Sequence, residues 1–188
     1  DTAKLANALL TDKQKRIFEE RLEVDFSYSI PGLSRYRINV FRQRGSIAMV
    51  IATHPPSPPT MEELGLPESI KNMAAQAKSG LIVLCGPRAS GKSNTLAAII
   101  SYILETRNMQ IVSFENPIDF LHKNKKGIIC QREKGTDFQT FENAFNSLRH
   151  QACDILVVTE FEEPDVVAHA LNLAAGGNLV IVTGQAPG

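Results

Sequence analysis

The chain has 188 residues, of which 43% are apolar and 21% charged, and its formal net charge is zero. That length holds one ordinary domain with a core, or one domain and part of a second, and the composition excludes disordered and fibrous classes. The charge divides into nine Lys/Arg against six Asp/Glu over residues 1–60 and eleven against fourteen over 61–188, balances too slight for the broad basic surface that nucleic-acid binding uses.

The opening run DTAKLANALL lacks the charged-then-apolar plan of a signal peptide, and no apolar stretch approaches the ~18 residues of a membrane span. Membrane contact is therefore expected only through partners. TDKQKRIFEERL reads as a helix. EVDFSYSI and RYRINVF alternate apolar and polar residues over strand-like lengths around the turn former PGLS, and SIAMVIA follows a turn at Gly45. These predict an antiparallel meander behind one helix, a small α+β unit over residues 1–54 that is incomplete. In THPPSPPT, residues 53–60, four prolines remove amide donors and forbid helix or central strand, so a linker is placed at residues 55–60.

From residue 61 to 188 continuous apolar strands alternate with amphipathic helices. The order is LIVLC, a helix from Lys92 to about Thr106, QIVSF, a helix near Phe138 to Gln151, ILVVT, a helix near Pro164 to Ala175, and LVIVT. Strands that are apolar throughout belong to a parallel sheet covered on both faces, so this part reads as α/β. Cys85, Cys130 and Cys153 show no CxxC pairing; two of them, in apolar runs, read as small buried hydrophobes, and a reducing cytoplasm suits all three. His54, His122, His150 and His169 show no metal spacing and read as surface or half-buried.

Between the first of these strands and its helix, Gly86-Pro87-Arg88-Ala89-Ser90-Gly91-Lys92-Ser93 fits GxxxxGK[ST] at every fixed position. The chemistry needs that pattern. Backbone amides and a helix N-terminus wrap phosphates, the lysine reaches the β- and γ-phosphates, and the serine ligates Mg²⁺. Residues 86–93 and the following Asn94 are thus the candidates for holding ATP, with Ser93 also a metal ligand. A carboxylate must then orient water and hold the magnesium shell. Glu115 after QIVSF and Glu160 after ILVVT fall at strand carboxyl ends, where open α/β sheets place ligands, and with the phosphate-loop strand expected beside them both read as functional. The guanine-recognising NKxD element is missing, because Asn124-Lys125-Lys126-Gly127 has glycine where aspartate is needed.

Together these motifs resemble the PilT/PilU type IV pilus retraction ATPases, within the wider family of secretion ATPases. The resemblance covers almost the whole chain. VDFSYSIPGLSRYRINVFRQRG looks like the family's PAS-like N-terminal domain, TMEELGLPESIK like the start of its RecA-like domain, SFENPIDF like its acidic motif, and QACDILVVTE like its atypical Walker B, with KKGIICQRE between them. Carried over, the resemblance implies Lys92 and Ser93 on ATP and magnesium, Glu115 as the acidic-motif carboxylate, and Glu160 as the Walker B carboxylate. It also matches Arg35, Arg37, Arg42 and Arg44 to an arginine-rich region able to supply charge to a bound nucleotide. Arg35 and Arg37 share a strand face by the period of two. A hexamer, an inner-membrane pilus platform partner, and a cytoplasmic location peripheral to the inner membrane are implied in the same way.

Departures are informative. Asn116 stands where the acidic motif has aspartate, with Asp119 at its later glutamate. Thr159 precedes the Walker B glutamate in place of glycine, and Phe161-Glu162-Glu163 follows it where Met-Arg-Asp is usual. The histidine motif reads GNLVIVTGQAP, with Asn178 and Gln185 at its histidine positions. These changes spare nucleotide binding and bear on hydrolysis, so the expectation is a weak ATPase. The alternative is a nucleotide-binding regulatory or assembly subunit that no longer hydrolyses.

Overall fold

A computed structural model describes residues 1–30, 33–55, 57–159 and 164–186. The chain divides into two compact units, Asp1–Pro56 and Ser57–Gly188.

In the first unit, α1 (Thr2–Leu9) and α2 (Asp12–Arg21) precede the strands β1 (Glu23–Ile30), β2 (Ser34–Gln43) and β3 (Ser46–His54), which form an antiparallel meander in the order β1-β2-β3. α2 lies where TDKQKRIFEERL predicts it. Thr11 caps it by accepting from the Gln14 amide while the Gln14 side chain accepts from the Thr11 amide, a reciprocal box that satisfies two orphan donors. α1 was not foreseen; Asp1 caps it by accepting from the Ala3 amide. Alternation buries Val24, Ile38 and Val40 against Ala6, Leu10 and Phe18, which leaves Arg35 and Arg37 on the opposite sheet face. β3 continues through Thr53 and His54, whose backbone pairs with that of Arg35, so these two residues belong to the strand and not to the proline-rich run.

In the second unit, α3 (Glu68–Gln76) leads into β4 (Gly80–Gly86), α4 (Lys92–Thr106), β5 (Gln110–Glu115), β6 (Ile128–Glu133), α5 (Phe141–Leu148), β7 (Ile155–Val158), α6 (Pro164–Ala175) and β8 (Leu179–Gln185). The sheet is parallel, in the order β4-β8-β7-β5-β6. Ile111, Ile155, Val157, Leu179 and Ile181 pack on the α4 side, and Val112, Phe114, Leu156, Val158, Val180 and Val182 on the α5 and α6 side. Each fully buried aliphatic or phenyl side chain contributes roughly 1.5–3 kcal/mol, so β5, β7 and β8, covered on both faces, anchor the unit. α4 has the predicted bounds. α5 is shorter than expected: Thr140 caps its start, and Phe138 instead bridges to Lys134. α3 and β6 are additional elements.

The cysteine expectation needs correction. Cys85 lies on β4, at the sheet edge, and Cys130 on β6, at the other edge, and both are exposed. Cys153 is half-buried, its thiol pushed up to about 11 by burial.

Candidate phosphate-binding loop and carboxylate edge

The loop leaves β4 at Gly86 and re-enters helix at Lys92. A Cβ at Gly86 would stand 2.7 Å from the Ser90 Oγ, so a larger residue there would have to displace the Ser90 hydroxyl. Ala89 at φ 60 and Gly91 at φ 89 take left-handed conformations that turn the backbone into α4. No side chain caps α4, so its first amides are available to an anion at the positive end of the helix. The Lys92 ammonium donates to the carbonyls of Gly86, at 2.8 Å, and Pro87, at 2.7 Å. It is thus folded back over the loop instead of standing free in solvent. Arg88, Ser90, Ser93 and Asn94 are exposed around the rim. Uncapped amides, a tight glycine turn and a cation gathered at one point fit a phosphate chain, and the Ser93 hydroxyl in the first turn of α4 fits a hard, oxygen-seeking Mg²⁺.

Glu115 is placed differently from the sequence expectation. β4 neighbours neither β5, which carries Glu115, nor β7; β8 lies beside it, then β7, then β5. Three strand spacings, about 14 Å, separate the lines of β4 and β5. Glu160 lies outside the described residues. The residue before it is firmly held, since the Thr159 amide donates to the Phe114 carbonyl at 3.0 Å and the Thr159 Oγ1 accepts from the Asn116 amide at 3.0 Å.

Glu115 ends β5 and is buried, with 5% exposure. Its Oε1 accepts from the Ser113 Oγ at 2.6 Å and from the Gln131 Nε2 at 2.9 Å. Donors of this kind offset the cost of holding a carboxylate out of water. Gln131 and Ser113 were not foreseen. They are register partners on β6 and β5, and the clue was the unrecognised strand IICQRE.

Near them His122 is half-buried, with its Nδ1 3.2 Å from the Ser101 Oγ, and burial pushes its pKa down to about 4. Above pH 6.5 neither folded nor unfolded chain protonates it. Between 6.5 and 4 only the unfolded chain takes up the proton, so stability falls as the pH falls. Denaturant melts at pH 7 and pH 4 are expected to show the wild type losing up to about 3 kcal/mol more than His122→Gln.

The four arginines do not act as one cluster. Arg37 holds Asp25, its Nη2 2.6 Å from Oδ2, and the Arg35 Nη1 donates to the Ser29 Oγ at 3.0 Å. Arg42, on the helix side of the sheet, donates to the Gly45 carbonyl at 3.1 Å and lies over the Phe18 ring. Arg44 forms the β2–β3 turn at φ 51. The two positions of the histidine motif are likewise separated. Gln185 pairs in register with Gly86, next to the loop, and the adjacent Ala186 amide donates to the Gly86 carbonyl. Asn178 stands at the opposite end of β8, where its Nδ2 donates to the Cys153 carbonyl. There it borders a cavity of about 450 Å³ lined by Phe145, Arg149 and His169, remote from the loop edge. Gly127 sits where a Cβ would come within 2.9 Å of the Met109 carbonyl, so aspartate is sterically excluded from the position that guanine recognition would need.

The family model described as type II/IV secretion system protein matches residues 47–186. A Neisseria gonorrhoeae protein named "Twitching motility protein" is 37% identical over 183 residues, 97% of this chain and 49% of its own length. The Pseudomonas aeruginosa protein named "Type IV pilus retractation ATPase PilT" is 39% identical over 175 residues, 93% of this chain and 51% of its own. A crystal structure of the pilus retraction motor PilT with bound ADP superposes with a TM-score of 0.92 at 39% identity, covering 97% of this chain and 53% of that one. The chain therefore spans about half the length of the curated relatives it matches.

Proposed function

Because the chain belongs to the type II/IV secretion system protein family, we propose that it is the ATP-binding and ATP-hydrolysing part of a motor subunit of the kind that retracts type IV pili. The observation that carries this reading is the Gly86–Ser93 loop, with its uncapped helix start and its lysine gathered over two loop carbonyls. Loop amides and Lys92 hold the phosphates, and Lys92 exchanges the carbonyls of Gly86 and Pro87 for phosphate oxygens when ATP arrives. Ser93 and Glu160 would hold Mg²⁺, which when bound would supply positive charge to the phosphates. Glu160 orients the attacking water, and Glu115, on the strand next to β7, assists from the same carboxyl edge. The subunit works as a cytoplasmic hexamer on an inner-membrane pilus platform. No helix among the described residues is long and apolar enough to cross a membrane. Steady-state phosphate release by the full-length protein, with and without magnesium, tests the reading: magnesium-dependent turnover is expected, and its absence would remove the motor.

A second reading, a subunit that binds nucleotide without hydrolysing it, draws on one observation. Gln185 replaces a motif histidine at the position paired with Gly86.

Arg35 and Arg37 are proposed to contribute positive charge to a nucleotide at a subunit interface. Among their partners, Asp25 and Ser29 lie at the surface, where such contacts contribute only about 0–1 kcal/mol. Arg35→Ala with Arg37→Ala is expected to lower kcat about 10-fold or more while changing ATP affinity less, because charge stabilisation counts most in the transition state. An unchanged kcat would return both residues to a purely local role.

A further inference from the structure

We propose that Gln131 is the positioning residue for Glu115 and that it ties this carboxylate, through His122 and Ser101, to the helix that carries Lys92 and Ser93. The proposal rests on the hydrolytic reading above. Its basis is a continuous set of hydrogen bonds. The Gln131 Nε2 donates to the Glu115 Oε1 at 2.9 Å and to the Phe120 carbonyl at 2.8 Å, while the Gln131 Oε1 accepts from the His122 amide at 2.9 Å. Two acceptors face the nitrogen and a donor faces the oxygen, so the carboxamide has one orientation that satisfies every contact; the flipped amide would set oxygen against a carboxylate.

The His122 ring then reaches the Ser101 Oγ at 3.2 Å, in the middle of α4. β5, β6 and the segment between them thus meet at Gln131, and His122 of that segment carries the connection on to α4. Gln131 is itself fixed laterally, because β6 pairs with β5 in a register that sets Gln131 beside Ser113, the other donor to the Glu115 Oε1.

A carboxylate that must align a proton acceptor with bound water loses rate steeply when its angle drifts. Glu115 is the last residue of its strand, and these two donors hold its Oε1. Gln131 is a positioning residue whose contacts are Glu115, the Phe120 carbonyl and the His122 amide. It acts by fixing which way the acid points and by making that direction depend on the position of α4.

The test uses Gln131→Met, which keeps length and bulk without hydrogen-bonding capacity, in the full-length assembled protein. The expected result is a kcat about 10-fold lower with affinity for a fluorescent ATP analogue held within about 2-fold. In a Glu115→Gln background the same substitution is expected to change kcat no further, since it acts only through that carboxylate. Wild-type kcat in Gln131→Met, or full multiplication of the two effects in the double variant, would overturn the proposal and leave the hydrolytic reading standing. If Gln131→Met loses analogue binding, Gln131→Asn, which keeps the amide but stops one methylene short, takes its place, and loss of binding there too makes the role structural and overturns the proposal. A wild type that releases no phosphate overturns both readings at once.

Discussion

Replacing Lys92 by alanine is expected to weaken ATP binding by about 100-fold while the unit stays folded. Charge-assisted hydrogen bonds to phosphate are each worth roughly 1.5–3 kcal/mol, and the lysine is placed to make more than one. Its side chain is not idle without ligand, since it bridges the carbonyls of Gly86 and Pro87. Water can replace it at that exposed rim, so the cost falls on the loop's resting shape and not on the core of α4, where Leu96, Ile99, Ile100 and Ile103 are packed. Titration with a fluorescent ATP analogue measures the first effect and a thermal melt the second. Wild-type affinity in the variant would remove the phosphate-loop assignment.

Glu160→Gln is expected to retain ATP and to lower phosphate release by about 100-fold or more, the usual consequence of removing a positioned catalytic charge without changing its shape. The motivation is the end of β7. Thr159 is bound through both its amide and its hydroxyl to the end of β5, so the chain arrives at residue 160 from a fixed point on the carboxyl edge. Of the two histidine-motif positions only Gln185 lies beside the phosphate loop, whereas Asn178 binds the Cys153 carbonyl at the far end of its strand. One replacement near the loop slows turnover or uncouples it; it does not remove the water-orienting carboxylate, the lysine or the magnesium ligand. A wild type that releases phosphate no faster than Glu160→Gln would replace the motor with the non-hydrolysing subunit.

What the sequence made legible follows from how local each signal is. The loop and the bounds of α4 are written in adjacent residues, because glycines, a lysine and an apolar period of 3.6 act within one or two turns of chain. The meander of the first unit was legible for the same reason, through alternation and turn formers. Strand order was not. Nothing in LIVLC or QIVSF specifies a neighbour, so the expectation that Glu115 would stand beside the phosphate-loop strand failed on two intervening strands. β6 escaped notice because IICQRE offers six residues whose side chains serve unlike partners: Ile129 packs in the core, Gln131 grips a carboxylate, and Arg132 covers the rings of Phe114 and Phe138. The arginines illustrate the same limit. Period two rightly joins Arg35 and Arg37, but it equally sets Arg42, an odd number of residues further along β2, on the other face, and the β2–β3 turn takes Arg44 out of the strand.

The place of β4 in the sheet also sets a clock on the birth of the molecule. Its hydrogen-bonded neighbour is β8, and the first register pair joins Gly80 to Leu179, ninety-nine positions later. On a ribosome adding about 5–20 residues per second, β4 and the phosphate loop leave the tunnel about 5–20 s before the strand that must seat them. Closing so long a connection carries its entropic cost before any contact rewards it, so β5, β6 and β7 can assemble while the nucleotide cradle is still an unpaired ribbon. The part of the protein most plainly written in its sequence is, by topology, among the last to take shape.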